Sequence, residues 1–202
     1  MKLLLGTTNP AKVADYNRYL VHSKLEIITL RDLRFFDEPL EIGETFEENA
    51  LQKARFYAEK TELPTLADDG GFEVDALGGE PGINSRRWVG PNGTDEDRID
   101  KIIKRLRGIP AKGRTAHFRI VVVVYFPDIR DYVSVEKITE SGVVPEQPSK
   151  VRISGYPYRS VLFLPQLNKY FSELTQDELQ EIDHRKAACK ELLLKLGPWI
   201  SS

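Results

Sequence analysis

A single cysteine, Cys189, stands in a chain of 202 residues. One thiol excludes an intrachain disulfide and a cysteine-rich zinc centre, and its neighbours HRKAACKELLLKL read as a helix in which it packs against apolar side chains. Long apolar runs are missing too. The opening MKLLLG stops at a polar turn, too short for a signal peptide or a membrane span, and reads as the first strand of a cytoplasmic protein. Charge of one sign is scarce: 29 Lys and Arg stand against 31 Asp and Glu, a formal net charge of -2. Such a balance gives no overall attraction to a polynucleotide or an anionic membrane, so any anion must be bound by a local cluster. Repeats, low-complexity tracts and linkers are absent, which leaves one α/β domain over residues 1–202, bilobed or not, with enough apolar content to bury a core.

What is present alternates strand and helix. Residues 2–6 read as a buried strand stopping at Gly6, and TTNPAKVADYNRYLVHS as a helix entered through a polar turn, with Pro10 in its first positions. The second helix, ETFEENALQKARFYAEKTEL, carries a capping box of Thr45 and Glu48 and apolar Phe46, Ala50, Ala54 and Tyr57 at helical spacing. PTLA reads as a short strand and EVDALGG as a turn. TDEDRIDKIIKRLRGIP is an amphipathic helix with acids first and bases last, as the helix dipole favours. TAHFRIVVVVYFP reads as a strand buried on both faces, DYVSVEKIT as its partner, and LTQDELQEIDHRKAACKELLLKLG as one C-terminal helix.

The chemistry concentrates in a few places. Thr7, Thr8, Asn9 and Lys12 surround a strand-to-helix turn, where unpaired N–H groups and the helix dipole favour an anion; this is not a Walker motif. In LADDGGFEVDALGGEPGINSRRW, Asp69 follows an apolar strand and precedes two glycines, where a ligand can approach the backbone. Glu41, Glu44, Glu47 and Glu48 crowd the start of the second helix; capping explains Glu48, and placement near a helix start suits Glu44 and Glu47. Mg²⁺ needs only one or two protein carboxylates beside substrate phosphates. Lys53, Arg86 and Arg87 can neutralise phosphate charge. GYPYRS offers Tyr156, Tyr158 and Arg159, and IDHRKAA offers His184 and Arg185. An aromatic ring beside directional donors suits a nucleobase, although packing and helix ion pairs account for the same residues.

Taken together, TTNPAK, TFEENALQKAR, LADDGGFEVDALGGEPGINSRRW and ELTQDELQEIDHRKAA resemble the inosine triphosphate pyrophosphatase family over nearly the whole chain, in family order and spacing. The resemblance implies an elongated two-lobed α/β fold with a long twisted mixed sheet flanked by helices and an active-site cleft between the lobes. It implies Mg²⁺-dependent hydrolysis of non-standard purine nucleoside triphosphates to monophosphate and pyrophosphate, and a homodimer. It assigns phosphate binding to the loop Thr7–Lys12, metal binding to Glu41 and Asp69, and the general base to Asp69. Substrate contacts fall to Lys53, Gly70 and Arg87, stacking on the base to Tyr156, and base recognition to His184 and Arg185.

Four positions depart from the family pattern: Arg159 replaces a base-facing acid, Asp183 a serine, Gly70 a serine, and Leu179 a substrate-contacting lysine. Either Asp183 and Arg159 supply a relocated acceptor and donor to the base, or they form a surface ion pair. The same losses allow a nucleotide-binding protein that kept the pocket without turnover. The metal-associated acids are retained, which favours the enzyme.

Overall fold

The computed structural model describes residues 1–139 and 141–200. In chain order its regular elements are β1 (Lys2–Leu5), α1 (Pro10–Leu20), β2 (Glu26–Thr29), α2 (Phe46–Thr61), β3 (Thr65–Val74), α3 (Asp95–Arg105), β4 (Thr115–Phe126) and β5 (Asp131–Ile138). They continue as β6 (Gly142–Val143), β7 (Phe163–Leu164), β8 (Lys169–Tyr170), α4 (Gln176–Ile182), α5 (His184–Lys195) and α6 (Gly197–Ile200). The strands form one eight-stranded sheet in the order β2-β1-β3-β4-β6-β7-β8, with β5 beside β4. β1 runs parallel to β2 and β3, whereas β6 is antiparallel to β4 and to β7, and β7 to β8. The mixed α/β class expected from the sequence is the one observed.

Two compact units make up the chain: Met1–Asp69 with Ile120–Lys137 and His184–Ser202, and Gly70–Arg119 with Ile138–Asp183. In the first, Leu3, Leu4 and Leu5 are all fully buried, as a strand covered on both faces requires. Leu3 and Leu5 pack with Val122, Val124, Phe126, Tyr16 and Leu20 and with Cys189, Leu192 and Leu196 of the C-terminal region. Leu4 meets Tyr57 and Leu30 in a separate cluster. Cys189 is therefore a core thiol, as its helical context predicts. The second unit centres on Phe72 and Val74 of β3, Ile99 and Ile102 of α3, and Tyr158, Leu162 and Phe171.

Two readings of local structure need correction. β3 does not stop at Ala67 but runs for ten residues in all, through both glycines to Val74. Gly71 is required there by packing, since a Cβ would lie 2.2 Å from the carbonyl oxygen of Gly82 and 2.6 Å from Ser85 Oγ. The C-terminal helix is two helices, broken at Asp183, whose φ of -69° and ψ of 113° are extended. Aspartate is a poor helix-interior residue and a favoured flanking one, so α4 ends and α5 begins around it. The strands β6, β7 and β8 are two residues each, too short to leave an alternating pattern in the sequence.

Gly71→Ala should lower stability by about 1–3 kcal/mol, because the new methyl meets backbone that cannot rotate away. Chemical denaturation of the two proteins checks this, and an unchanged midpoint would mean the Gly82 turn retreats without cost.

Candidate active site

The turn Thr7–Lys12 is built by capping. Asn9, in extended backbone, accepts hydrogen bonds through Oδ1 from the N–H groups of Ala11 at 2.9 Å and Lys12 at 3.4 Å, and Pro10 occupies the first helical turn. The Thr7 hydroxyl oxygen accepts from Asn9 N–H at 3.3 Å, and the Thr8 hydroxyl donates to Glu38 at 2.6 Å. The loop is thus preformed, and its lysine points inward: Lys12 Nζ lies 2.9 Å from Asp68 Oδ1.

Asp68 and Asp69 are neighbours on β3, and successive side chains on a strand face opposite ways. Asp68 pairs with Lys12 of α1 and, at 3.3 Å, with Arg185 of α5, which also holds Asp15 of α1 at 3.0 Å. Asp69 instead meets Lys53 of α2 at 3.4 Å, and the same ammonium reaches Glu41 at 3.1 Å. The segment carrying Glu41 is strapped to α2: Ile42 N–H donates to Gln52, Gly43 N–H to Asn49 and Glu44 N–H to Glu48. Glu48 also receives the N–H of Thr45 while the Thr45 hydroxyl accepts from Glu48 N–H, so the capping box is complete and Glu48 is a structural acid.

Burial and charge push these groups apart. Burial raises the Asp68 carboxyl, but Lys12, Arg185 and Lys53 outweigh it and hold the group well below the usual carboxylate range. For Asp69 burial wins: its affinity for a proton rises, helped by Glu41 and opposed by Lys53 and Lys12. Burial acts against the Lys53 ammonium, yet Asp69, Asp68 and Glu41 more than compensate and raise it. Lys12 is lowered, chiefly by burial and also by Lys53 and Arg185, against the pull of Asp68. Asp68 is therefore a fixed anion that organises cations, and Asp69 a more basic carboxylate. Asp69 Oδ2 is buried, and the Asn49 side chain acts on the carboxylate as a neutral donor. Glu41 and Asp69, which share one cation, are the pair suited to a divalent ion. No group of three or more His, Cys, Asp or Glu among the described residues is arranged for a metal, so such an ion would take its other ligands from water and substrate.

In the second unit the turn Pro157–Ser160 sorts its rings by role. Tyr158 is buried, stacks on Phe72 with centroids 5.2 Å apart and donates its hydroxyl to the Ser85 carbonyl at 2.8 Å. Tyr156 is half-buried, with the Arg159 guanidinium 4.0 Å from its ring centroid. Gly70 and Arg87 are exposed.

The model of the Ham1 family matches residues 3–195. The chain belongs to the Ham1 family. It is 36% identical over 193 residues to the dITP/XTP pyrophosphatase of Yersinia pseudotuberculosis, covering 95% of this chain and 96% of that protein. It is 35% identical over 189 residues to the dITP/XTP pyrophosphatase of Bacillus subtilis, covering 94% and 93%. Among solved structures, the HAM1 protein of Coxiella burnetii superposes with a TM-score of 0.87 at 29% identity, covering 98% of this chain and 99% of that one. The Staphylococcus aureus Ham1 protein gives 0.85, also at 29% identity and with the same coverage.

Against the family pattern, the departures have physical homes. Leu179 lies in the core of the second unit, where a lysine would bury its charge. Arg159 and Asp183 are only 8% and 2% exposed, which overturns the surface ion pair as an account of them. Thr7–Lys12, Glu41, Lys53, Asp69, His184 and Arg185 belong to the first unit, and Gly70, Arg87, Tyr156, Arg159 and Asp183 to the second. Arg185 is engaged with Asp15 and Asp68.

Sequence reasoning passed over Asp68, Asp15 and Glu38. Two signals were readable: an acid ending a buried strand needs cations, and Asp15 lies three residues after Lys12, on the same helix face. Glu38 sits in an irregular segment and left no pattern.

Asp68→Asn should cost about 3–5 kcal/mol, because Arg185 and Lys12 would lose their shared anion while remaining largely buried. Since the Asp68 pKa is depressed on folding, its contribution is full above the ordinary carboxylate range and fades as pH falls through the lowered value. Acid unfolding should accordingly be steeper in the wild type than in Asp68→Asn. Parallel acid curves would remove Asp68 from this role.

Proposed function

We propose that this protein hydrolyses non-standard purine nucleoside triphosphates to the monophosphate and pyrophosphate, as a house-cleaning enzyme of the cytoplasmic nucleotide pool. The observation that carries the reading is Asp69, a buried carboxylate with raised basicity, beside Lys53 and Glu41, in the same unit as the capped turn Thr7–Lys12. The names of the relatives, dITP/XTP pyrophosphatase, supply the substrate class.

Polyphosphate binds at the turn, where Thr7, Thr8 and Lys12 present hydroxyl and ammonium donors at the N-terminus of α1. Asp69 accepts a proton from water, whose oxygen forms the new bond to phosphorus as the bond to pyrophosphate breaks. Lys12 and Lys53 offset the charge that develops on the phosphoryl oxygens. Mg²⁺, held by Glu41 and Asp69, would supply Lewis-acid charge to the phosphates. Arg87, exposed in the second unit, contributes a cation to substrate binding. Tyr156, Arg159 and Asp183 of the second unit serve the base, as does His184 of the first, while Arg185, expected at the base from the sequence, stays with Asp15 and Asp68. No covalent nucleophile is required, because positioning and electrostatics suffice. We further infer a homodimer, which light scattering would test.

Purified protein incubated with a nucleoside triphosphate panel and Mg²⁺ should release pyrophosphate, read separately from orthophosphate, with inosine and xanthosine triphosphates preferred. Orthophosphate as the product would defeat the reaction class. Asp69→Asn should lower kcat at least about 100-fold, the scale of a lost general base, with little change in melting temperature. Glu41→Gln should raise the Mg²⁺ concentration for half-maximal rate, whereas Glu48→Gln should alter melting and leave that concentration unchanged. A Mg²⁺ response that followed Glu48 instead would reassign the metal acid.

A further inference from the structure

Arg159 is a buried cation placed over two aromatic rings of graded exposure. Phe171, in the core of the second unit, is 2% exposed; the guanidinium, 5.5 Å from its centroid, belongs to a residue 8% exposed; and Tyr156, 4.0 Å away, is half-buried. The backbone reinforces the arrangement, with Arg159 N–H donating to the Tyr156 carbonyl at 3.2 Å and Tyr156 N–H to the Ile153 carbonyl at 2.9 Å. Tyr158, between them, is turned to Phe72. A guanidinium stacks flat on a ring, and the attraction strengthens where water is excluded. Here it anchors the more exposed ring to the core.

We propose that Arg159 is a positioning residue for base recognition, holding the Tyr156 ring so that its other face receives the purine of the substrate. This rests on the nucleotide reading above and deepens it. A ring that is fixed before the ligand arrives loses less freedom on binding, so the anchored tyrosine binds a stacked base more tightly than a mobile one. The contact acts on the purine face, which hypoxanthine and adenine share, and not on the edge, where they differ. Loss of the anchor therefore weakens purine nucleotides in parallel and leaves the phosphate end untouched.

The test compares Arg159→Met and Arg159→Lys with the wild type, using inosine and adenosine triphosphates as substrates and inorganic tripolyphosphate as a base-free competitor. In Arg159→Met, KM for both nucleotides should rise about tenfold, the scale of one lost base–aromatic stack, while kcat moves much less. The inosine-to-adenosine ratio of kcat/KM and the tripolyphosphate inhibition constant should hold. Arg159→Lys should lie between, and in a Tyr156→Leu background neither change should matter further. Should Arg159→Met not fold, Arg159→Lys made with Tyr156 intact and again together with Tyr156→Leu carries the same comparison. A wild-type KM in the Arg159 variants with Tyr156 intact overturns the proposal. A collapse of the inosine-to-adenosine ratio also overturns it, by making Arg159 a reader of the base edge. Weakened tripolyphosphate inhibition would do so as well, by showing general disruption. If the wild type releases pyrophosphate from no nucleoside triphosphate, the nucleotide reading itself fails, and this inference with it.

Discussion

Asp68 is the anion on which the first unit is organised. It lies in the buried first half of β3, and its two oxygens hold Lys12 of α1 and Arg185 of α5, two helices far apart in sequence. A fully desolvated carboxylate is costly unless paired and hydrogen-bonded, and here both oxygens are engaged by cations. Arg185 adds Asp15 and lies 5.7 Å from the centroid of the buried Tyr16 ring. The start of α1, strand β3 and helix α5 are therefore held by one charge network, which also fixes the Lys12 ammonium.

Adjacency on a strand converts this structural charge into a chemical one. Because Asp69 faces away from Asp68, it pairs with Lys53, which also reaches Glu41, rather than with Lys12 and Arg185. Burial then raises its basicity while Asp68 stays ionised. Two identical carboxylates in one dipeptide thereby acquire opposite shifts, one held as a fixed anion and one made more basic. The same strand continues through Gly70-Gly71 into the second unit, where Gly71 lets the Gly82 turn approach.

The second unit handles charge differently. Its Arg159 is placed over aromatic faces. A cation over ring faces is attracted by the ring quadrupoles. Leu179 joins that core as an apolar residue, and all four departures, Gly70, Arg159, Leu179 and Asp183, fall in the second unit, whereas Asp69, Glu41, Lys53 and Lys12 belong to the first.

Periodicity and caps made α1, α2, α3 and β4 readable, because Asn9-Pro10, Thr45 with Glu48, the acids that open TDEDRIDKIIKRLRGIP, and the valine run act through neighbouring residues. The same local logic marked Cys189 as packing and Glu48 as a cap. Residue types at the site were legible for a related reason: a capped turn, an acid before glycines and a ring beside a guanidinium each declare a chemistry. What the sequence could not declare was pairing. Whether Lys12 meets Asp68, whether Arg185 turns to a base or to Asp15, and whether Arg159 lies on the surface or over Tyr156 depend on contacts between residues distant along the chain. The break at Asp183 and the two-residue strands were also left to tertiary contacts, since neither carries enough local pattern to compete with a helix propensity that runs on either side. By itself the sequence determined the elements and the kinds of chemistry, because those arise from neighbours. The tertiary structure alone decided which charge answers which, because burial and distance set that balance.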